Sequence, residues 1–111
     1  MFGDGSTRRD YTFVSDIVRG IRAAMDYDAT LYEVINLGND QTVSLRQMIQ
    51  GLEQALGVKA QIEQLPEQPG DVPQTWASVE KARRLLGYAP QTSYADGVRR
   101  FVAWQDAQSG A

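Results

Sequence analysis

The sequence predicts a single α/β domain in which short strands alternate with about four helices. Three observations carry that expectation. The chain has 111 residues, enough for one domain and too few for two. Several apolar stripes recur at helical spacing behind capping residues, and short β-prone runs between them end in Gly, Asn and Asp turns. Hydrophobic residues make up 42% and charged residues 23%, a balance that supports a packed core rather than a disordered tail.

The first ten residues form a polar turn, with Gly3 and Gly5 bracketing Asp4 and leaving positive φ available on either side. Tyr11 to Val14 is a β-prone run and is expected to be a short strand. Ser15 and Asp16 stand where an N-cap and first turn belong. Val14, Ile17, Val18, Ile21 and Met25 follow on one helical face, with Arg19 and Arg22 opposite, so a helix of about three turns is expected.

Leu31 to Leu37 is the second expected strand, closed by Gly38, Asn39 and Asp40. Ser44 and Gln47 have capping-box spacing. Leu45, Met48, Ile49, Leu52 and Leu56 form the stripe behind them, and Gly57 is the stop. A third strand is expected from Ala60 to Leu65. Pro66, Pro69 and Pro73 forbid a regular element, so that stretch is expected to be an ordered loop or a lid. A short helix from Ser78 to Leu86 should end at Gly87. A last helix should begin near Ser93, carry Tyr94, Val98, Phe101 and Val102 on one side, and fray from Gln105 onward.

Composition removes several function classes. With no Cys and no His there is no disulfide frame, no thiolate nucleophile, no Ser-His triad and no ordinary zinc site. Eleven Lys+Arg against 14 Asp+Glu give a net charge of −3, without the basic excess expected for nucleic-acid binding. No apolar run is long enough for a membrane span, and the N-terminus has no signal-peptide pattern. No glycine-rich dinucleotide fingerprint or P-loop occurs, and no tyrosine is followed four residues later by lysine.

Two segments remain. Arg9 stands beside the Gly3-Asp4-Gly5 turn, where its fork could grip a phosphate; spacing alone favours a surface pair with Asp10. In Gln68-Pro69-Gly70-Asp71-Val72-Pro73 the prolines stiffen the loop and Gly70 permits close approach. Asp71 could then accept from paired sugar hydroxyls, or cap its own turn.

Read in order, these segments resemble the C-terminal substrate domain of extended short-chain dehydrogenase/reductase enzymes, the NAD-dependent nucleotide-sugar epimerases and dehydratases. The matching residues are Phe2-Gly3-Asp4-Gly5-Ser6, Arg9-Asp10-Tyr11-Thr12-Phe13-Val14, Asp16-Ile17-Val18 and Gly20-Ile21. They continue through Val34-Ile35-Asn36-Leu37-Gly38-Asn39, the 68–73 segment with Thr75, Leu86-Gly87-Tyr88 with Pro90, and Gly97-Val98, Phe101-Val102 and Trp104. The pattern is most similar to that of UDP-glucuronate 4-epimerases.

The resemblance implies that Phe2 lies against the nucleotide base, that Arg9 rather than Arg8 binds the diphosphate, and that Asp71 binds the ribose or orders the loop over it. Gln68 stands where hexose-type relatives carry a second phosphate-gripping arginine, which fits the uronate-type pattern. Trp76 and Ser78 replace the usual Tyr and Asp. It further implies that NAD, a Tyr-x-x-x-Lys pair and a Ser/Thr belong to an N-terminal Rossmann half absent from this chain. In the family reaction that tyrosine deprotonates the sugar 4-OH as hydride passes to NAD, and hydride returns to the other face of the ketone. This chain would then position the nucleotide of a UDP-sugar without turnover of its own, in a cytoplasmic enzyme with no nucleic-acid or membrane partner. The helix from Val14 and the 31–37 strand would pack on the Rossmann half, and without it the chain should form a homodimer or self-associate. Two other readings are a freestanding nucleotide-binding or protein-interaction module without enzymatic activity, and a structural remnant that binds nothing.

Overall fold

The computed structural model describes residues 1–109. Among them are four helices and two short strands: β1 (Arg8–Arg9), α1 (Val14–Met25), β2 (Val43–Ser44), α2 (Leu45–Leu56), α3 (Glu80–Leu86) and α4 (Tyr94–Ser109). The strands pair antiparallel, Arg8 opposite Ser44 and Arg9 opposite Val43. No helix is long and apolar enough to cross a membrane.

The helices match their sequence signals closely. Ser44 accepts from the Gln47 backbone while the Gln47 side chain accepts from the Ser44 backbone, closing the expected capping box of α2. Gly57 and Gly87 end α2 and α3 in the left-handed conformation, where a side chain would be strained. Three boundaries are corrected. α3 begins at Glu80 rather than Ser78, with the buried Val79 as its N-cap. α1 begins one residue before Ser15, with Phe13 as its N-cap and no side-chain cap. α4 runs on to Ser109 rather than fraying at Gln105, its last turn closed by the Ser109 hydroxyl donating to the Gln105 carbonyl.

The three expected strands are not found. Tyr11 to Phe13 is irregular and Val14 is already helical; the strand begins three residues earlier, where Arg8 and Arg9 find β2. Leu31 to Leu37 has no ladder partner, and Ala60 to Leu65 contributes only an isolated bridge between Leu65 and Phe2. A β-prone run becomes a strand only when a second run offers it hydrogen bonds.

The core is small. Val79, Ala82 and Tyr88 are buried, with Ile35, Leu37 and Leu86 packed against them. α1 joins this core through its polar face. Asp16 is fully buried and its carboxylate accepts from the Gln91 and Thr92 backbone and from Arg19. Gly20 admits Leu37 and Tyr88 so closely that a Cβ there would stand 2.8 Å from the Leu37 methyls. The apolar stripe points the other way, with Val14, Val18, Ile21 and Met25 all exposed. On the far side, α4 buries Val98 and Val102, and Tyr94 sits over Gly51 of α2 while its hydroxyl donates to the Met48 carbonyl.

Candidate functional site

The Gly3-Asp4-Gly5 turn, β1 and the loop after Leu65 come together on one face. Gly3 and Gly5 adopt φ of 75° and 85°, so the chain bends sharply around Asp4. The Asp4 carboxylate accepts from both the hydroxyl and the backbone N–H of Ser6, and these bonds hold its pKa below the ordinary carboxylate value. Beyond the turn, Gly3 donates to the Leu65 carbonyl at 2.7 Å and Leu65 donates to Met1 at 2.7 Å. This parallel bridge carries Phe2, whose ring is exposed on the surface.

Arg8 and Arg9 part at β1. The Arg8 guanidinium donates to the Thr42 hydroxyl and carbonyl, both at 2.9 Å. Arg9 donates through one terminal nitrogen to the Arg8 carbonyl at 2.7 Å and through the other to Asp71 at 3.1 Å. Two candidate residues 62 positions apart are therefore in contact. The pair is partly open to solvent, at 31% exposure for the arginine side chain and 43% for the aspartate.

Asp71 is carried there by a loop fixed at its far end. Arg8 donates to the Pro73 carbonyl at 2.9 Å and accepts from Thr75 at 3.2 Å. Gly70 has φ of 82° and Asp71 donates back to the Gln68 carbonyl at 3.2 Å, which makes the tip a tight turn. Gln68 lies exposed at the start of that turn. The structure thus groups Arg9, Asp71 and Gln68, with Phe2 reaching the same loop through Leu65.

The Arg9–Asp10 surface pair does not form. The Asp10 carboxylate instead accepts from the backbone of Asn39 and Asp40 at 3.0 to 3.3 Å. Asp40, at φ 57°, accepts from the Trp76 indole N–H at 3.1 Å. Asp10, Asp40 and Trp76 thereby tie the 39–40 turn to β1 and to the end of the 65–76 loop, a link that residue spacing does not reveal. The Gly38-Asn39-Asp40 turn was the available signal, because successive N–H groups in a turn attract a carboxylate.

This face is an open surface rather than a cavity. An apolar cavity of about 170 Å³ between the 11–13 segment and α4, lined in part by Tyr11, Phe13, Tyr94 and Phe101, includes none of the four candidate residues. The arrangement suits holding an extended anionic ligand: a cation, a hydroxyl-accepting carboxylate, an amide and an exposed aromatic ring.

Residues 1–101 match the profile of the GDP-mannose 4,6 dehydratase family. A UDP-glucuronate 4-epimerase of Thermodesulfobacterium geofontis is 41% identical over 105 residues, 94% of this chain and 32% of that protein. The UDP-glucuronic acid 4-epimerase of Bacillus cereus, solved with UDP-glucuronic acid and NAD, superposes with a TM-score of 0.84 at 36% identity, over 95% of this chain and 35% of that one. The UDP-glucose 4-epimerase of Thermotoga maritima, solved with UDP-glucose, gives 0.89 at 29% identity over 98% and 35%. The chain spans about a third of the length of the curated relatives it matches.

Proposed function

This chain belongs to the GDP-mannose 4,6 dehydratase family, and from that premise we propose that it binds the nucleotide of a UDP-sugar as the substrate domain of a UDP-glucuronate 4-epimerase-like enzyme. The observation that carries the reading is the meeting of Arg9 and Asp71 at the mouth of β1. In this reading Arg9 donates its fork to the diphosphate, and Asp71 accepts from the ribose hydroxyls. Phe2 lies against the base, and the Gln68 amide adds a neutral contact where a second cation would otherwise stand.

NAD does not fit the residues of this chain. Its glycine turn at 3–5 leads into β1 and lies against the N-terminus of α2, where the Leu45, Arg46 and Gln47 N–H groups already donate to Thr7, Gly5 and Ser44 and so do not face a pyrophosphate. The cofactor and the proton-transfer residues therefore belong, in this proposal, to a Rossmann half. The outward stripe of α1 and exposed Leu31, Tyr32 and Val34 are the surface offered to it. The chain's contribution is positional: gripping the nucleotide handle places the sugar for chemistry supplied elsewhere.

Calorimetric titration tests the reading with UDP and uridine. A diphosphate gripped by a charge-assisted contact contributes about 2 kcal/mol, so UDP should bind some thirtyfold more tightly than uridine. Equal affinities, or no binding of UDP, contradict it.

A further inference from the structure

The loop between Leu65 and Trp76 is fastened at both ends and open in the middle. Leu65 is tied to Met1 and Gly3 at one end. Pro73 and Thr75 are tied to Arg8, and Trp76 to Asp40, at the other. Every residue from Leu56 to Trp76 is exposed, and nothing lies within 4 Å of where a Cβ on Gly70 would stand. Across this open tip, the ion pair between Asp71 and Arg9 is the one recorded among the described residues.

That pair uses the atoms the nucleotide would need. With one terminal nitrogen of Arg9 on the Arg8 carbonyl, the other faces Asp71. A carboxylate and a phosphate seek the same fork, so both cannot occupy that nitrogen with full strength. Resting on the reading of Arg9 as the diphosphate group, we infer that Asp71 is an internal counter-anion for Arg9. It holds the guanidinium in the empty site, and an incoming diphosphate must displace it. Displacement in turn frees the carboxylate to accept from the ribose. The tip can follow such a change because its anchors lie at 65 and 73–76, outside the segment that moves. A half-exposed pair is weak, so the competition is modest in size and distinctive in sign.

Inorganic pyrophosphate, which has neither ribose nor base, is the probe. It is titrated calorimetrically into the unsubstituted protein, Asp71→Asn and Glu67→Gln; UDP is titrated alongside. Glu67→Gln makes the same charge change in the same loop at a side chain that lies against Gly3 rather than Arg9. Asp71→Asn should tighten pyrophosphate by about two- to fivefold, and Glu67→Gln by less than half as much. With UDP the gain from Asp71→Asn should shrink or reverse, since the ribose loses its acceptor. Unchanged or weaker pyrophosphate binding by Asp71→Asn overturns the inference, as does an equal gain from Glu67→Gln, which would reduce the effect to net charge. If the unsubstituted protein binds UDP and these gains are missing, the inference alone fails. If no form binds UDP or pyrophosphate, the parent reading fails and takes the inference with it.

Discussion

Arg8 and Arg9 are neighbours with the same side chain, and the fold sets them different tasks. Arg8 is half-buried and satisfied by Thr42, so it joins β1 to the segment leading into β2. Arg9 faces the open site, on Asp71. Replacing Arg9 by alanine should weaken UDP binding by about 2–3 kcal/mol, while Arg8→Ala should lower folding stability by about 1 kcal/mol and change UDP affinity by no more than about threefold. Calorimetry with UDP and urea denaturation of both variants check this; equal losses of affinity, or a larger one at Arg8, contradict it. Little of this was legible in residue spacing. Arg9 beside Asp10 reads as a local charge pair until the turn at Asn39 and Asp40 is seen to claim the Asp10 carboxylate. Asp71 is 62 positions away, and only the ordered resemblance linked it to the same ligand.

At the scale of elements, helices were legible and strands were not. Caps and stripes are local: Ser44 with Gln47 and the Gly57 and Gly87 stops lie within a few residues of the helices they bound. A strand depends on a remote partner, and Leu31 to Leu37 has the composition of one without the ladder. The outward stripe of α1 agrees with the resemblance, but the residues that it turns inward, Asp16 and Gly20, were hidden in the periodicity. Gly20 lies against Tyr88, whose hydroxyl donates to the Gly38 carbonyl at 2.6 Å. Burial raises its pKa above the ordinary value near 10, with the Asp16 and Asp10 carboxylates adding to the shift. The neutral phenol is therefore favoured in the folded state. Its contribution is complete below about pH 10 and is lost as pH rises through the higher folded value, because the unfolded chain ionises first. Urea denaturation from pH 8 to 11 should show stability falling above pH 10. Tyr88→Phe should cost about 1 kcal/mol at pH 8 and flatten part of that fall, with the slope from Tyr94, also raised by burial, remaining. An alkaline slope unchanged in Tyr88→Phe contradicts the account.

The molecule as a whole is a slab of 51 × 42 × 17 Å with a radius of gyration of 16.9 Å, against about 13 Å for a compact domain of this size. The slab leaves the apolar stripe of α1 uncovered, whereas a stable core is normally closed between two layers. Val14, Val18, Ile21 and Met25 lie exposed along one face of α1, and Leu31, Tyr32 and Val34 are exposed as well. Each such side chain forgoes roughly 1.5–3 kcal/mol of burial, so a handful of them together rival the total stability of a small domain. In isolation the chain should therefore self-associate through this face, and sedimentation velocity at micromolar concentration should show dimers or larger species. A clean monomer that unfolds cooperatively contradicts that expectation. If the face bearing Arg9 and Asp71 receives a nucleotide diphosphate, amide hydrogen exchange with and without UDP will register it. Exchange at Gln68, Gly70, Asp71 and Val72 should slow when UDP is added, with α4 unaffected; identical exchange across 68–72 in both conditions would rule out nucleotide binding at this face.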